Sequence, residues 1–258
     1  MPRPDAVIFP RHERVEDRRK EGEHRKLLDE FFDHSTLMAI SRLITQGQFE
    51  AIDYPISTGK EGGVFRATSG SEFRAVKVYR IGNAVFRRLP AYAMEQLKRE
   101  TSEHNYARLV MAWTRREHSI LRQLTAADVA CPQPYGHLRN VLVMEFVGTD
   151  GVASPRLQEA TIDDPDRLHR DLERLVRRMT VDAHLVHGDL SPYNVLYRDG
   201  HPVLIDVAQA IPVDHPQARE LLRRDSDHFT RFLARLGVEI DADQFFKAIG
   251  GGTLAAKR

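Results

Sequence analysis

The sequence predicts an α+β protein in two lobes, and three observations point that way. In the first half, β-prone runs at residues 56–65, 73–79 and 139–147 are separated by turn residues, with one helical pattern before the last of them. In the second half, the short apolar runs Val195-Leu196-Tyr197 and Val203-Leu204-Ile205 flank Asp199-Gly200, a dipeptide suited to a tight hairpin turn. Helical patterns at residues 217–223, 226–236 and 241–249 then close the chain.

Taken in order, residues 11–30 are dense in both charges and read as a solvated or helical arm. A short amphipathic helix follows at residues 35–44, with Ser35 as its cap and Gly47 as its stop. The segment Ile56-Ser57-Thr58-Gly59-Lys60-Glu61-Gly62-Gly63-Val64-Phe65 places small residues between β-prone runs. Backbone N–H groups approach an anion closely in such a loop, and glycine tolerates unusual dihedrals there. It matches neither G-x-G-x-x-G nor G-x-x-x-x-G-K-[ST], and by itself it is equally a glycine-rich hairpin turn. In the next strand Lys77 shares a face with Ala75 and Tyr79. Residues 81–105 have no clean periodicity. Val110, Trp113, Ile120, Leu121 and Leu124 form the stripe of a helix that also carries Glu117. A glutamate on a charged helix is usually solvated, so Glu117 gains its weight from Lys77. Residues 139–147 read as a turn and a buried strand that leads through Glu145 and Val147 into a connection. Residues 149–165 read as loop, and Gly250-Gly251-Gly252 as a flexible terminus.

The chemistry is concentrated in Leu185-Val186-His187-Gly188-Asp189-Leu190-Ser191-Pro192-Tyr193-Asn194 and in the strand that ends at Asp206. An H-G-D tripeptide alone is an ordinary loop with a capping aspartate. Asn194 and Asp206 change that reading, because the spacing from Asp189 to Asn194 is that of the protein-kinase catalytic loop. There the aspartate accepts the proton of the attacking hydroxyl and the asparagine holds magnesium. A hairpin around Asp199-Gly200 brings Asn194 and Asp206 to one mouth, so Asp206 becomes the second metal ligand. Upstream, Ala75-Val76-Lys77 is similar to the V-A-I-K strand of kinases, whose lysine pairs the α- and β-phosphates and is oriented by a helical glutamate.

With these residues in place, the chain resembles the RIO family of atypical protein kinases, specifically its RIO-one branch. The resemblance rests on Phe31-Phe32-Asp33 with Thr36-Leu37, Ser57-Thr58-Gly59-Lys60-Glu61, Ala75-Val76-Lys77-Val78-Tyr79, His187-Gly188-Asp189-Leu190-Ser191 with Tyr193-Asn194, and Ile205-Asp206-Val207-Ala208-Gln209-Ala210 with Asp214-His215-Pro216. It runs from about residue 15 to residue 237. Gly62-Gly63 and Phe65 depart from the branch, which usually has Ala-Asn and Tyr, and Pro192 stands where an acidic residue is common. The resemblance implies ATP with Mg2+ or Mn2+ bound between two lobes. Ser57, Thr58, Gly59, Lys60, Glu61, Gly62 and Val64 would form the phosphate loop, and the backbone at Glu145 and Val147 would meet the adenine. Lys77 fixed by Glu117 would hold phosphates, Asn194 and Asp206 metal, and Asp189 would be the base. It also implies autophosphorylation, with Thr101 and Ser102 as candidates, an aspartyl-phosphate on Asp206, and pre-ribosomal small-subunit particles as partners.

The expected organisation is an arm and helical extension at 1–48, a nucleotide lobe at 49–147, a catalytic lobe at 148–249 and a tail at 250–258. Only residues 207–258 follow Asp206, and they show no A-P-E segment. The sequence thus predicts a reduced kinase fold without activation loop or substrate-lobe helices. The formal charge of +1 announces no nucleic-acid partner, and the single cysteine excludes a disulfide framework. No apolar run is long enough to span a membrane and no signal-peptide pattern occurs, which predicts a cytoplasmic protein. Two other readings stay open at this point: a small-molecule phosphotransferase of the aminoglycoside or choline kinase type, and a nucleotide-sensing ribosome-binding module with little turnover.

Overall fold

The computed structural model describes residues 31–81, 92, 94, 95, 97 and 106–254. The charged arm and the hydroxyls Thr101 and Ser102 lie outside the described residues. The chain divides into two compact units, Met1–His118 with Pro134–Phe146, and Ser119–Gln133 with Val147–Arg258.

The first unit is built on a five-stranded antiparallel sheet in the order β1-β2-β3-β5-β4, with β1 Ala51–Thr58, β2 Gly62–Ser69, β3 Glu72–Tyr79, β4 Pro134–Leu138 and β5 Val141–Glu145. Helix α1, His34–Thr45, packs on it through Ile40 and Leu43, which join Phe31, Phe32, Phe65, Val76 and Val141 in one core. Full burial of each such side chain contributes about 1.5–3 kcal/mol. The helix is capped by Asp33, not by Ser35: the carboxylate accepts the Thr36 N–H at 2.7 Å and the Ser35 hydroxyl at 3.0 Å. Burial alone would raise the Asp33 pKa, but these bonds outweigh it and hold the carboxyl below its ordinary range. The stop falls where the sequence places it. Gly47 takes φ 73°, and Gly47 N–H and Gln48 N–H close on the carbonyls of Ile44 and Leu43.

Helix α2, Tyr106–Ala126, carries the expected stripe, with Val110, Trp113, Leu121 and Leu124 buried. Its last two turns, from Ser119, and the segment that follows belong to the second unit. Gln123 there donates to the Ala183 carbonyl at 2.8 Å, Arg178 to that of Asp128 at 2.7 Å, and Leu204 N–H to that of Ala130 at 2.9 Å. Residues 119–133 are therefore part of the second unit.

The second unit contains the two-residue strands β6 Gly148–Thr149 and β7 Val152–Ala153, helix α3 Pro165–Arg177, strand β8 Leu185–Val186, the hairpin β9 Val195–Arg198 and β10 His201–Leu204, strand β11 Ile211–Pro212, and helices α4 Ala218–Arg235 and α5 Ala242–Phe246. Helix α3 opens with Asp164 as cap and Pro165 in its first turn, and buries Leu168, Leu172, Leu175 and Val176. Asp199 and Gly200, at φ 50° and 82°, make the expected tight turn. The helical patterns at 217–223 and 226–236 are one continuous helix, α4. Of the three terminal glycines, Gly250 and Gly251 are buried, a Cβ on Gly250 would meet Thr180 at 2.9 Å, and Gly252 is exposed. Among the described residues no helix is long and apolar enough to cross a membrane.

Candidate active site

In the first unit the chemistry gathers on β3 and α2. Lys77 pairs with Val64 on one side and Leu142 on the other, in the middle of the sheet. Its Nζ donates to Glu117 Oε1 at 2.8 Å, and the Tyr79 hydroxyl donates to Glu117 Oε2. The Lys77 and Glu117 side chains are only 12% and 2% exposed. Glu117 lies on the buried stripe of its helix, where a carboxylate survives only with partners. Removing either partner of such a buried pair strands the other charge, at a cost of about 3–5 kcal/mol.

Ser57 and Thr58 end β1, Gly59, Lys60 and Glu61 form the turn, and Gly62 and Val64 begin β2. Gly59 N–H closes on the Gly62 carbonyl at 2.9 Å, and Arg80 N–H on that of Glu61 at 3.0 Å. The two glycines are required by packing. A Cβ on Gly62 would strike the Val78 carbonyl, and one on Gly63 would meet the rings of Phe65 and Phe31 at 2.9 and 3.1 Å. Glu145 ends β5 opposite Arg74, and Val147 is a buried residue of the second unit.

In the second unit, Asp189 is exposed on the loop after β8, and Asn194 closes a single 3₁₀ turn, Pro192–Asn194. Asn194 Nδ2 donates to the Asp189 carbonyl at 2.8 Å and reaches its carboxylate Oδ2 at 3.4 Å. The β9–β10 hairpin pairs Val195 with Leu204, and Ile205 N–H donates to the Asn194 carbonyl at 3.0 Å. Asn194 and Asp206 are thereby set at the open end of one hairpin. Asp206 is exposed and holds a left-handed conformation, φ 58° and ψ 47°, which few residues besides glycine, asparagine and aspartate adopt. His187 ties the two loops together. Burial depresses its pKa, so the ring is neutral, and Nε2 donates to the Ile205 carbonyl at 3.1 Å.

The sequence reading missed the support beneath this loop. From α4, Asp225 accepts the N–H groups of Gly188 at 2.9 Å and Leu190 at 3.0 Å, Arg224 donates to the Gly188 carbonyl, and His228 Nδ1 meets the Leu190 carbonyl at 2.9 Å. The backbone on both sides of Asp189 is clamped by three side chains of one helix. Burial pushes the Asp225 carboxyl up to about 7, against the pull of the two amides and Arg224. The unfolded carboxyl has its ordinary value near 3.8, so between about pH 4 and pH 7 the folded chain binds the extra proton. Stability from this group is fully present below pH 4 and lost as pH rises to 7, by on the order of a few kcal/mol. Denaturant melts at pH 4.5 and 7.5 should show this decline in the wild type and a flatter profile in Asp225→Asn; equal slopes would contradict it.

Asp189, Asn194 and Asp206 present oxygen donors. With Asn194 Nδ2 engaged by Asp189, the amide oxygen is the ligand atom left for a cation. Such a set fits a hard ion like Mg2+ or Mn2+. Among the described residues no cluster of three or more His, Cys, Asp and Glu side chains is arranged to hold a metal unaided. A magnesium ion held by one or two protein ligands together with substrate phosphates needs none.

Comparison with known proteins shows the family. The RIO domain family model matches residues 63–245. The chain is 38% identical over 235 residues to the RIO-type serine/threonine-protein kinase Rio1 of Haloferax volcanii, covering 91% of this chain and 81% of that one. It is 33% identical over 239 residues to Rio1 of Methanocaldococcus jannaschii, covering 92% and 81%. It is also 33% identical over 229 residues to the human serine/threonine-protein kinase RIO1, where the match covers 86% of this chain but 40% of the human one. The crystal structure of the Rio2 kinase from Chaetomium thermophilum superposes with a TM-score of 0.65 at 22% identity, over 83% of this chain and 67% of that one, which shows the shared fold. The chain belongs to the RIO family, as a phosphotransferase of the protein-kinase class on the reduced kinase fold.

Proposed function

We propose that the chain is an ATP-dependent serine/threonine protein kinase and ATPase in which Lys77 holds nucleotide phosphates, Asn194 and Asp206 hold Mg2+ or Mn2+, and Asp189 accepts the proton of the attacking hydroxyl or orients the attacking water. The observation that carries this reading is the buried Lys77–Glu117 pair at 2.8 Å in a RIO-family chain that also has Asp189 hydrogen-bonded to Asn194. An ammonium carries three N–H donors, so one oriented by a buried carboxylate can also bond phosphate oxygens. The turn from Ser57 to Gly62 is read as the phosphate loop, and the backbone at Glu145 and Val147 as the adenine contact. The metal, when bound, neutralises charge on the transferring phosphoryl group.

Asp206 is also proposed as a phosphoryl acceptor. Its carboxylate oxygen attacks the γ-phosphorus as the bond to the β–γ bridging oxygen breaks and ADP leaves, and water then cleaves the acyl phosphate to regenerate the carboxylate. A related Rio2 kinase from Chaetomium thermophilum was crystallised as an ADP/Mg2+-phosphoaspartate complex. The proposed setting is the cytoplasm, in maturation of the small ribosomal subunit, with the chain itself as a further substrate.

Titration calorimetry with ATP and Mg2+ tests the phosphate-binding assignment. Lys77→Ala deletes a charge-assisted contact and should weaken ATP binding by roughly 10-fold or more. Wild-type affinity in this variant would reduce Lys77 to a strand residue.

A further inference from the structure

We propose that Tyr79 is a positioning residue for the phosphate-binding lysine: its phenol fixes the second oxygen of Glu117 and so sets where the Lys77 ammonium is held. The inference rests on the reading of Lys77 as a phosphate ligand, and three observations carry it.

Glu117 is 1% exposed, and both its oxygens have donors, Lys77 at Oε1 and the Tyr79 hydroxyl at Oε2. The last torsion of a glutamate is broad, so a carboxylate held at one oxygen swings and one held at both does not. The Tyr79 ring also supports the ammonium directly, with Lys77 Nζ 4.9 Å from its centroid. One side chain thus contacts the cation through its face and steers the counter-ion through its hydroxyl.

Tyr79 is itself held from several sides. Its N–H donates to the Asn140 carbonyl at 2.9 Å and its carbonyl accepts from Asn140 Nδ2 at 2.8 Å. Asn140 is fully buried and also donates to Thr36 Oγ1 at 2.9 Å, which ties this corner of the sheet to helix α1. Across the strand pair, Gly62 packs so closely on Val78 and Tyr79 that a side chain there would collide with them. The phenol is therefore a fixed reference for Glu117.

The test compares the full chain with Lys77→Ala, Tyr79→Phe, Glu117→Gln and the double variant Tyr79→Phe/Glu117→Gln, using calorimetric ATP affinity and steady-state KM and kcat. Tyr79→Phe keeps the ring and removes only the hydroxyl. It should raise the KM for ATP about 3- to 10-fold with kcat changed less than about 3-fold, the pattern of lost binding common to ground and transition states. Added to Glu117→Gln it should change KM by less than about twofold, since residues that act through one another are not additive. Wild-type KM and affinity in Tyr79→Phe, beside weakened binding in Lys77→Ala, would overturn the inference alone. A Tyr79→Phe effect undiminished in the Glu117→Gln background would also overturn it, because a merely structural tyrosine behaves that way. Unchanged ATP affinity in Lys77→Ala would overturn both this inference and the reading beneath it. Should loss of the hydroxyl prevent folding, Tyr79→3-fluorotyrosine preserves size and changes donor strength: a shifted KM for ATP supports the proposal and an unchanged one overturns it.

Discussion

Asp189→Asn is expected to lower phosphoryl transfer to a hydroxyl or to water by roughly 10²- to 10⁴-fold, the range for loss of a general acid–base group, while ATP affinity stays near that of the wild type. The substitution is nearly isosteric, and the loop does not depend on this carboxylate for its shape. Gly188 and Leu190 are held through their backbone by Asp225, Arg224 and His228, and Asn194 keeps its 2.8 Å bond to the Asp189 carbonyl. What is lost is an exposed proton acceptor. Single-turnover kinetics with ATP at saturation isolate that loss from binding, and a near-normal rate would remove Asp189 from the chemistry.

The second large effect is expected from Asp206→Ala, which removes the proposed metal ligand and phosphoryl acceptor together. Loss of charge stabilisation worth several kcal/mol corresponds to a fall in turnover on the order of 10³-fold. Packing around the position predicts little damage to the fold, because Asp206 is exposed while Val207 and Ala208, which follow it, are buried. The left-handed backbone at φ 58° is the one source of strain the alanine inherits. Protein incubated with γ-labelled ATP should carry label that hydroxylamine removes, and Asp206→Ala should lose that fraction. Label that is wholly hydroxylamine-stable and maps to hydroxyl side chains would leave Asp206 as a metal ligand only.

Much of this site was legible in the sequence because its determinants are local. Asp189 and Asn194 share one loop, and Asp199-Gly200 encodes the turn that returns the chain to Asp206. The Lys77–Glu117 pair spans a longer stretch, but each member sits in a periodic element that fixes its face. The reduced kinase fold follows from these parts and is the one the RIO relatives share.

What the sequence hid is instructive. The helical patterns read at 217–223 and 226–236 leave out Arg224 and Asp225, two adjacent charged residues. In the structure they lie inside one helix, and Asp225 is buried where it accepts the backbone N–H groups of Gly188 and Leu190 on the loop around Asp189. No periodicity argument reports a carboxylate whose partners are amides of a distant loop. Helix α3 escaped for a related reason: its Leu168, Leu172, Leu175 and Val176 are few among many charges. Asp33 and not Ser35 is the cap of α1 because the helix begins at His34, which leaves Asp33 at the position before the first turn and Ser35 inside it. Tyr79 was visible as a neighbour of Lys77 on its strand face, but its phenol bond to Glu117 depends on how α2 crosses the sheet.

The most direct measurement is a single-turnover reaction of the full chain with substoichiometric γ-labelled ATP and Mg2+. The account predicts that label leaves ATP and appears as protein-bound phosphate and inorganic phosphate, and that its transfer to hydroxyls and to water collapses in Asp189→Asn. ATP that stays bound and intact in the wild type, with or without an added protein acceptor, would contradict it.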